Sequence, residues 1–260
     1  TLRQMFSDRE RNTADFMDHQ KDVTHGMRHI LIDWIVDVCF EFHLGPQSLF
    51  VSVEITDYVL SRRQITKDRL QLLGICAMIL ACNVVNHGGI MPTYGDFSYI
   101  SDNTYSVEEI SEEVERIKVD IGTTFRDRLT LYDAIVHIFT DLPHWMSDVK
   151  ISLLMQDSLR VVVEAQKNAE LAIMYVDTYK YPVARIAAAC VVHARQEFDR
   201  QSWTEDLEHC TGFTWSEILP AVQHIRRVRG VRSSLVAVEI KYRDAYVHMC
   251  RYRRSQLLYV

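Results

Sequence analysis

Apolar residues recur at helical spacing along most of this chain, and the pattern predicts helices rather than strands. The first long predicted helix covers residues 26 to 42, with Thr24 as its N-terminal cap. A second helix is expected to open at Pro46. A third is expected over residues 66–86, with Thr66 as its cap, and its middle is apolar on every side. A helix of that kind is typical of the centre of a bundle.

The second half of the chain repeats this plan. Residues 181–198 predict another buried helix rich in small residues. Each of the two buried helices is followed by a capping box, Ser106-x-x-Glu109 in one case and Thr214-x-x-Glu217 in the other. We interpret the pattern as an internal duplication: an all-α fold of two repeats of about 100 to 110 residues, meeting near residues 126 to 146.

The first long helix has two apolar sides when its residues are placed on a wheel of about 100° per residue. The first arc holds Met27, Ile30, Leu31, Trp34 and Val38, with acids at its edge at Asp37 and Glu41. The opposite arc holds Ile32, Ile35, Val36 and Cys39. Two interpretations stay open: the helix is buried all round, or the first arc faces a partner. The bounding acids and the Trp and Met side chains favour a partner.

Arg28 lies among the apolar residues of the inner arc. A buried cation without a counter-ion is very costly, so Arg28 requires a carboxylate. Asp57 is the candidate, because it stands amid apolar neighbours on the next predicted helix.

Composition narrows the possible functions. The net charge is −6, which argues against general binding of nucleic acids, although arginines cluster at Arg226, Arg227, Arg229 and Arg232 and again at Arg251, Arg253 and Arg254. A solvated helix face or tail is the plainer interpretation of those clusters. The 6 cysteines form no C-x-x-C pair and suggest core residues in a reducing compartment. The longest apolar stretch is shorter than the ~20 residues of a membrane span, so no membrane association is expected.

Catalytic and metal-binding patterns find little support. His25 and His29 are four residues apart, as are Cys39 and His43, but neither pair has further ligands at recognisable spacing. The His-Gly-Gly of residues 87–89 has no matching nucleophile elbow. We therefore expect no metal ion and no cofactor.

Several segments together resemble one family. "DVTHGMRHILIDWIVDV" resembles the first helix of the cyclin box of A- and B-type mitotic cyclins, and "LFVSVEITDYVLSRRQITKDRLQLLG" continues the match. "DFSYISDNTYSVEEI", "YPVARIAAACVV" and "KYRDAYVHMC" resemble later parts of the same class. The resemblance implies two tandem five-helix cyclin boxes: an N-terminal helix and lead-in at 1–25, a first box at 26–128, and a second box with a C-terminal segment at 129–260.

Cyclins are regulatory subunits and not enzymes. The resemblance therefore implies that the chain is not an enzyme, and that it binds and activates a cyclin-dependent kinase as a heterodimer in mitotic cell-cycle control. Such a subunit favours the active conformer of the kinase and shifts that population. The resemblance also implies a location in the nucleus and cytoplasm.

The family recruits Arg-x-Leu motifs of substrates and inhibitors through an exposed patch. The resemblance implies that Met27, Ile30, Leu31, Trp34, Leu70 and Gln71 form this shallow patch, whose apolar residues receive the leucine of the motif. It implies acids for the motif's arginine at Asp37, Glu41 and Asp102, with Asp37 shorter than the usual Glu. An apolar anchor supplies affinity, and acids at the rim select a cation. The resemblance also implies that Arg28 and Asp57 form the internal ion pair of the family, with a structural role.

The match departs from the family at the end of the third helix. The usual Lys-aromatic-Glu-Glu is here Asn83-Val84-Val85-Asn86, so a neutral amide replaces an ammonium donor. The family lysine acts on the kinase together with a Glu that matches Glu115, if one extra residue is allowed between Tyr105 and Val114. The expected kinase interface thus contains Leu80, Asn83, Val84 and Glu115, and the departure indicates a divergent lineage.

Two explanations of this departure remain open. The partner kinase is divergent and has a compensating surface, or the chain is a cyclin-fold scaffold that no longer activates a kinase. A third alternative is a transcription-factor-like binding protein, a class that also carries two cyclin-type repeats. The net acidity and the intact Met-Arg-x-Ile-Leu string weigh against it.

Overall fold

The computed structural model describes residues 1–6, 16–85, 91–122, 129–140, 154–231 and 236–243, and for residues 154–158 it describes the backbone only. Within these ranges the chain is helical and contains no strand. Helix α1 is a short N-terminal turn, Leu2–Met5. The lead-in contains a 3-10 turn, Phe16–His19, whose Phe16 and Met17 are buried.

The described part of the first bundle contains five helices. They are α2 (His25–Glu41), α3 (Pro46–Leu60), α4 (Leu70–Val84), α5 (Tyr94–Ile100) and α6 (Val107–Ile121). Helix α4 is central and packs against α2, α3 and α6, as expected for a helix that is apolar all round. The hydroxyl of Thr24 accepts a hydrogen bond of 3.3 Å from the Met27 N–H, and Ser106 and Glu109 form the predicted capping box.

A close approach between α2 and α4 occurs at Gly74. A Cβ at this position would lie 2.8 Å from Leu31 Cδ1 and 3.4 Å from Ile35 Cδ1. The missing side chain therefore lets the two helices pack closely, and Leu31 fills the space above the glycine.

The start of α4 differs from the prediction. Thr66 precedes a 3-10 turn, Lys67–Arg69, and its side chain makes no capping hydrogen bond to the backbone. Helix α4 begins only at Leu70, after this turn. The lead-in stabilises the turn from outside, since Asp22 Oδ2 accepts a 3.0 Å hydrogen bond from the Lys67 N–H.

Five helices are also found among the residues that the structure describes in the second bundle. They are α7 (Leu131–Thr140), α8 (Leu154–Ile173), α9 (Val183–Glu197), α10 (Glu205–Thr211) and α11 (Trp215–Gly230). Helix α9 takes the central place of α4 and packs against α7, α8 and α11. Thr214 and Glu217 form the second predicted capping box. The all-α prediction of two tandem five-helix bundles is confirmed.

Both ends of the described chain pack against the second bundle. Arg3 of α1 pairs with Glu217 at 2.5 Å and lies 4.5 Å above the ring of Phe213. The C-terminal helical segment, residues 237–243, places Lys241 Nζ 2.6 Å from the fully buried carboxylate of Glu170 on α8. Tyr242 donates a 2.8 Å hydrogen bond to the same oxygen.

The described cysteines are Cys39, Cys76, Cys82, Cys190 and Cys210, and all of them are buried free thiols. Burial raises the pKa of Cys82 to about 11, so this thiol stays protonated near neutral pH. Among the described helices, none is long and apolar enough to cross a lipid bilayer.

Candidate functional site

The outward side of α2 carries an apolar patch. The side chain of Ile30 is 58% exposed, and Met27 and Trp34 flank it at a half-buried depth. These three residues follow helical i, i+3 and i+7 spacing, so they lie along one face. We call Met27, Ile30 and Trp34 the α2 patch. A large aliphatic side chain in water beside a partly open indole is a suitable anchor for a docking partner.

The apolar floor is narrower than predicted. Leu31 and Leu70 were expected in the exposed patch, but they are 5% and 7% exposed and belong to the core. Val38, placed on the same arc, is 2% exposed. The cause is the approach at Gly74, which draws the Leu31 side of α2 onto α4. Leu31 and Leu70 thus support the α2 patch from below and do not form its surface.

The predicted acids stand on the surface. Asp37 and Glu41 are exposed and one turn apart on α2, beyond Trp34. Gln71 is half-buried at the start of α4, the helix against which α2 packs. Asp102 is exposed in the turn after α5, with a backbone φ of 55°. The rim on α2 can therefore attract a cation while the α2 patch receives an apolar side chain.

The residues predicted for the kinase interface separate into core and surface. Leu80 is 3% exposed and packs in the centre of the first bundle, so its inclusion in the interface was wrong. Asn83 is exposed and Val84 half-buried at the end of α4. Glu115 is exposed on α6, the helix that packs against α4, and its carboxylate lies 3.0 Å from Lys118 Nζ. Asn83, Val84 and Glu115 remain available to a partner.

Arg28 joins the two bundles from the inner side of α2. Its Nε and Nη2 donate hydrogen bonds of 2.7 Å to the two carboxylate oxygens of Asp57 on α3. Nη1 and Nη2 also donate to the carbonyl oxygens of Met174 (2.9 Å) and Ile173 (3.1 Å), at the end of α8. Burial alone would lower the pKa of Arg28, but Asp57 more than offsets it, so the pKa is raised and the charge is permanent.

Asp33 has a role that spacing along the chain could not reveal. Its Oδ1 accepts a 3.0 Å hydrogen bond from the N–H of Ala237, the first residue of the C-terminal helical segment. Burial raises the pKa of this carboxyl group, although the hydrogen bond opposes the shift. The partner lies 204 residues away, and neither residue type signals the contact.

The other candidate chemistry does not assemble into a site. Within the described ranges no group of three or more His, Cys, Asp or Glu side chains could hold a metal ion. Arg226 and Arg227 are exposed, whereas Arg229 pairs with Glu197 at 2.9 Å and Glu164 at 3.4 Å. Asn86, the His-Gly-Gly of residues 87–89, Arg232 and the arginines at 251, 253 and 254 lie outside the described residues.

Two family models match this chain in succession. Residues 2–117 match the model described as cyclin, N-terminal domain, and residues 152–255 match cyclin, C-terminal domain. The duplicated helical bundles and these matches define a protein with the tandem cyclin fold. The chain belongs to the cyclin family.

Its similar relatives are A- and B-type cyclins. The chain is 29% identical over 224 residues to the G2/mitotic-specific cyclin-B of Hydra vulgaris, covering 84% of this chain and 56% of the relative. It is 30% identical over 244 residues to cyclin-A1-2 of Oryza sativa subsp. japonica, covering 90% and 48%. It is 32% identical over 242 residues to cyclin-B1-1 of the same rice, covering 92% and 50%. The chain thus spans about half the length of these relatives.

Solved structures agree on the fold. The X-ray structure of a viral cyclin from herpesvirus saimiri superposes with a TM-score of 0.67 at 18% identity, covering 88% of this chain and 96% of that one. A chain in the structure of the CAK complex from Chaetomium thermophilum bound to ATP-γ-S gives a TM-score of 0.55 at 12% identity, covering 98% and 86%.

Proposed function

We propose that this protein is a regulatory subunit and not itself an enzyme. It binds and activates a cyclin-dependent kinase in mitotic cell-cycle control, in the nucleus and cytoplasm. Family membership supports the class, and relatives named G2/mitotic-specific cyclin-B support the stage. Activation follows if the chain binds the active kinase conformer better than the inactive one, because only differential affinity shifts a conformational equilibrium.

The same subunit recruits substrates or inhibitors that carry an Arg-x-Leu motif. The observation that carries this part is the exposure of Ile30, which is 58% open to solvent on a helix whose opposite side is core. The leucine of the motif would cover Ile30 against Trp34, and Asp37 and Glu41 would receive its arginine. The α2 patch lies on α2, whereas Asn83, Val84 and Glu115 lie on α4 and α6, so recruitment and activation can be tested with different variants.

The experiment combines a binding and an activity measurement. The chain is used to isolate its kinase from native extract, the kinase is then prepared in pure form, and phosphorylation of a short motif-free peptide is measured with and without the chain. We expect activation by wild type and loss of binding for Val84→Asp, which places a carboxylate in the expected apolar contact. Val231→Asp, at a residue 51% exposed that follows α11 in the second bundle, is the matched control. Equal behaviour of the two variants would contradict the placement of Val84.

A cyclin-fold scaffold is the second candidate, and Asn83 favours it. This exposed amide stands where the resemblance calls for an ammonium, and an amide makes weaker hydrogen bonds than a charged donor. A scaffold would hold the kinase without raising its activity toward the motif-free peptide. Restoring the charge with Asn83→Lys would then raise activity, whereas an already active complex would change little.

A further inference from the structure

A small cavity on the first bundle is lined by arginine side chains. It has a volume of about 270 Å³ and lies between the end of α3, the turn before α4, and α6. Arg63, Arg69 and Arg116 line it, and among its described lining residues Glu113 is the one carboxylate. We call this space the arginine cavity. Three positive charges stand against one negative charge here, in a chain whose net charge is −6, so the arginine cavity attracts an anion.

The ion pairs across the arginine cavity are long. Glu113 lies 3.4 Å from Arg63 and 3.1 Å from Arg116, so one carboxylate bridges two of the arginines. Arg69 lies 3.3 Å from Glu109. These distances exceed the about 2.7–2.9 Å of a strong charge-assisted hydrogen bond, and such pairs at a surface contribute little to stability. A phosphate has more charge and more acceptor oxygens than a carboxylate, so it can displace them.

Two acids outside the arginine cavity fix the positions of its arginines. Asp120 pairs with Nη2 of Arg63, and Glu112 lies 3.5 Å from Nη2 of Arg116. The Nη1 atoms of both arginines pair with Glu113 instead. An anion that enters the arginine cavity therefore competes with Glu113 for these two nitrogens, while the outer pairs can remain.

A threonine hydroxyl lies at the same cavity. Thr66 is exposed, has an extended backbone with φ −82° and ψ 152°, and lines the arginine cavity. Its hydroxyl donates a hydrogen bond to Asp68 and makes no capping bond to the backbone. Arg62 and Arg63 stand four and three residues before it in the chain. Protein kinases of the basophilic class select arginine on this side of their acceptor, and they read such charge patterns in an extended segment.

We infer that Thr66 is a phosphorylation site and that Arg63, Arg69 and Arg116 hold its phosphate. The modifying enzyme is a basophilic protein kinase, and ATP is the phosphate donor. Oγ of Thr66 forms a bond to the γ-phosphorus, the bond from this phosphorus to the β,γ-bridging oxygen breaks, and ADP leaves. The hydroxyl proton passes to a carboxylate base of the modifying kinase. This site is independent of the kinase-activating role proposed above.

The captured phosphate joins three segments that are separate in the sequence. Arg63 ends α3, Arg69 belongs to the turn before α4, and Arg116 lies on α6. Charge-assisted hydrogen bonds from one phosphate to all three stabilise the start of α4. Asp68 and Glu113 oppose the phosphate by like-charge repulsion, but three guanidinium groups outnumber these two carboxylates.

The test separates the addition of the phosphate from its capture. The purified chain is incubated with ATP and the catalytic subunit of cAMP-dependent protein kinase, and mass spectrometry locates the phosphate, with Thr66→Val as the control that lacks the acceptor. Phosphorus NMR then measures the second pKa of the phosphate in wild type and in Arg69→Gln with Arg116→Gln, which leaves the arginines before Thr66 intact. Arg226→Gln with Arg227→Gln, at exposed arginines of α11, is the matched control.

We expect a phosphate on Thr66 with a pKa below its usual value of about 6, because nearby guanidinium groups favour the dianion. The pKa should return toward the usual value in the Arg69 and Arg116 variant and stay at the wild-type value in the control. Phosphorylation should raise the melting temperature of wild type, and this gain should be smaller in the Arg69 and Arg116 variant. Mass spectrometry of the chain isolated from native extract should find the same phosphate.

Three results would overturn the inference. Absence of phosphate from Thr66 in either the incubated or the native chain would overturn the modification site. The same phosphate pKa in all three chains would overturn capture by the arginines. Binding of inorganic phosphate to the Thr66→Val chain, with wild type left unmodified by the kinase, would assign the arginine cavity to a free anion instead.

Discussion

The guanidinium of Arg28 forms a two-pronged ion pair with the carboxylate of Asp57, with both N–O distances at 2.7 Å and the arginine fully buried. The same guanidinium donates to the last carbonyl oxygens of α8, which have no partner inside their own helix. One side chain thus satisfies a buried anion of the first bundle and the end of a helix of the second.

Removal of Asp57 should destabilise the whole protein. Asp57→Ala leaves a permanent buried cation without its counter-ion, and such a loss costs about 3–5 kcal/mol. We expect a lower urea midpoint and a lower melting temperature. Replacing both partners with apolar residues, Arg28→Met and Asp57→Leu, is the comparison. It leaves no unpaired charge, but it removes the donors to the Ile173 and Met174 carbonyl oxygens, so we expect it to lose stability as well. A single variant as stable as wild type would show that the pair is not structural.

Ile30 and Trp34 should control recruitment of Arg-x-Leu substrates. Trp34→Ala is expected to weaken binding of a labelled Arg-x-Leu peptide by roughly 2 kcal/mol, because aromatic anchors dominate such contacts. Ile30→Ser is the cleaner change, since Ile30 is 58% exposed whereas Trp34 also packs against the core. Kinase activity toward a motif-free peptide should survive both changes. An equal loss on both substrates would show that these residues support the fold instead.

The packing at Gly74 should be intolerant of larger side chains. Gly74→Val pushes methyl groups into Leu31 and Ile35, and overpacking of this kind costs about 1–3 kcal/mol. Gly74→Ala is the control with a smaller side chain. Its Cβ would contact Leu31 Cδ1 closely, but alanine favours the helix over glycine by up to about 1 kcal/mol, so the two effects on stability oppose each other. The melting temperature measures the loss of stability, and the affinity for the Arg-x-Leu peptide measures any displacement of the α2 patch. A Gly74→Val protein with wild-type values of both would disprove the close approach.

Two buried histidines should make the second bundle sensitive to acid. Nε2 of His193 donates to the Val222 carbonyl at 2.8 Å. Nε2 of His224 donates to the Thr178 hydroxyl at 3.0 Å, because that hydroxyl already donates to Ala172. Burial lowers the pKa of both histidines. Arg229 and Arg226 lower the pKa of His193 further. Arg227 and Lys180 do the same at His224, where Asp177 opposes the shift.

The sign of the pH effect follows from these shifts. The unfolded chain takes up protons on histidine as the pH falls through about 6.5, while the folded histidines remain neutral, so stability is present above that pH and is lost below it. Urea unfolding at pH 7.5 and 5.5 measures the loss. The double variant His193→Gln with His224→Gln should lose less than wild type over this interval. An identical loss in both proteins would assign the acid sensitivity to other groups.

The sequence predicted which helices form but not how deep each residue lies. Periodicity identified α4 as buried all round, and the caps at Thr24, Ser106 and Thr214 were visible in residue types. Leu80 was expected at a surface because periodicity shows a direction on a helix and not the neighbour that covers it. The prediction that Leu31 is exposed was wrong for the same reason, since its burial depends on Gly74 of another helix.

Contacts between distant segments were the least predictable part of the structure. Gln20 of the lead-in donates hydrogen bonds of 2.6 Å to the carbonyl oxygens of Leu60 and Arg63, and it accepts one of 3.1 Å from the Ile65 N–H. A glutamine before a helix carries no signal for this role. Arg28 was an exception, because a charge inside an apolar arc demands a counter-ion and few carboxylates of the first repeat stand among apolar neighbours.

The position of Arg28 also bears on how such a protein can diverge. The hydrogen-bond donors for the end of α8 lie on α2, in the other half of the duplication. The sequences of the two halves therefore cannot diverge independently at this contact. A chimaera can be made from the first half of this chain and the second half of a relative. It should fold only where the relative places two carbonyl oxygens within hydrogen-bond distance of the Arg28 guanidinium, as Ile173 and Met174 do here. Exchange of halves would then be rarer in evolution than exchange of the surface residues around them.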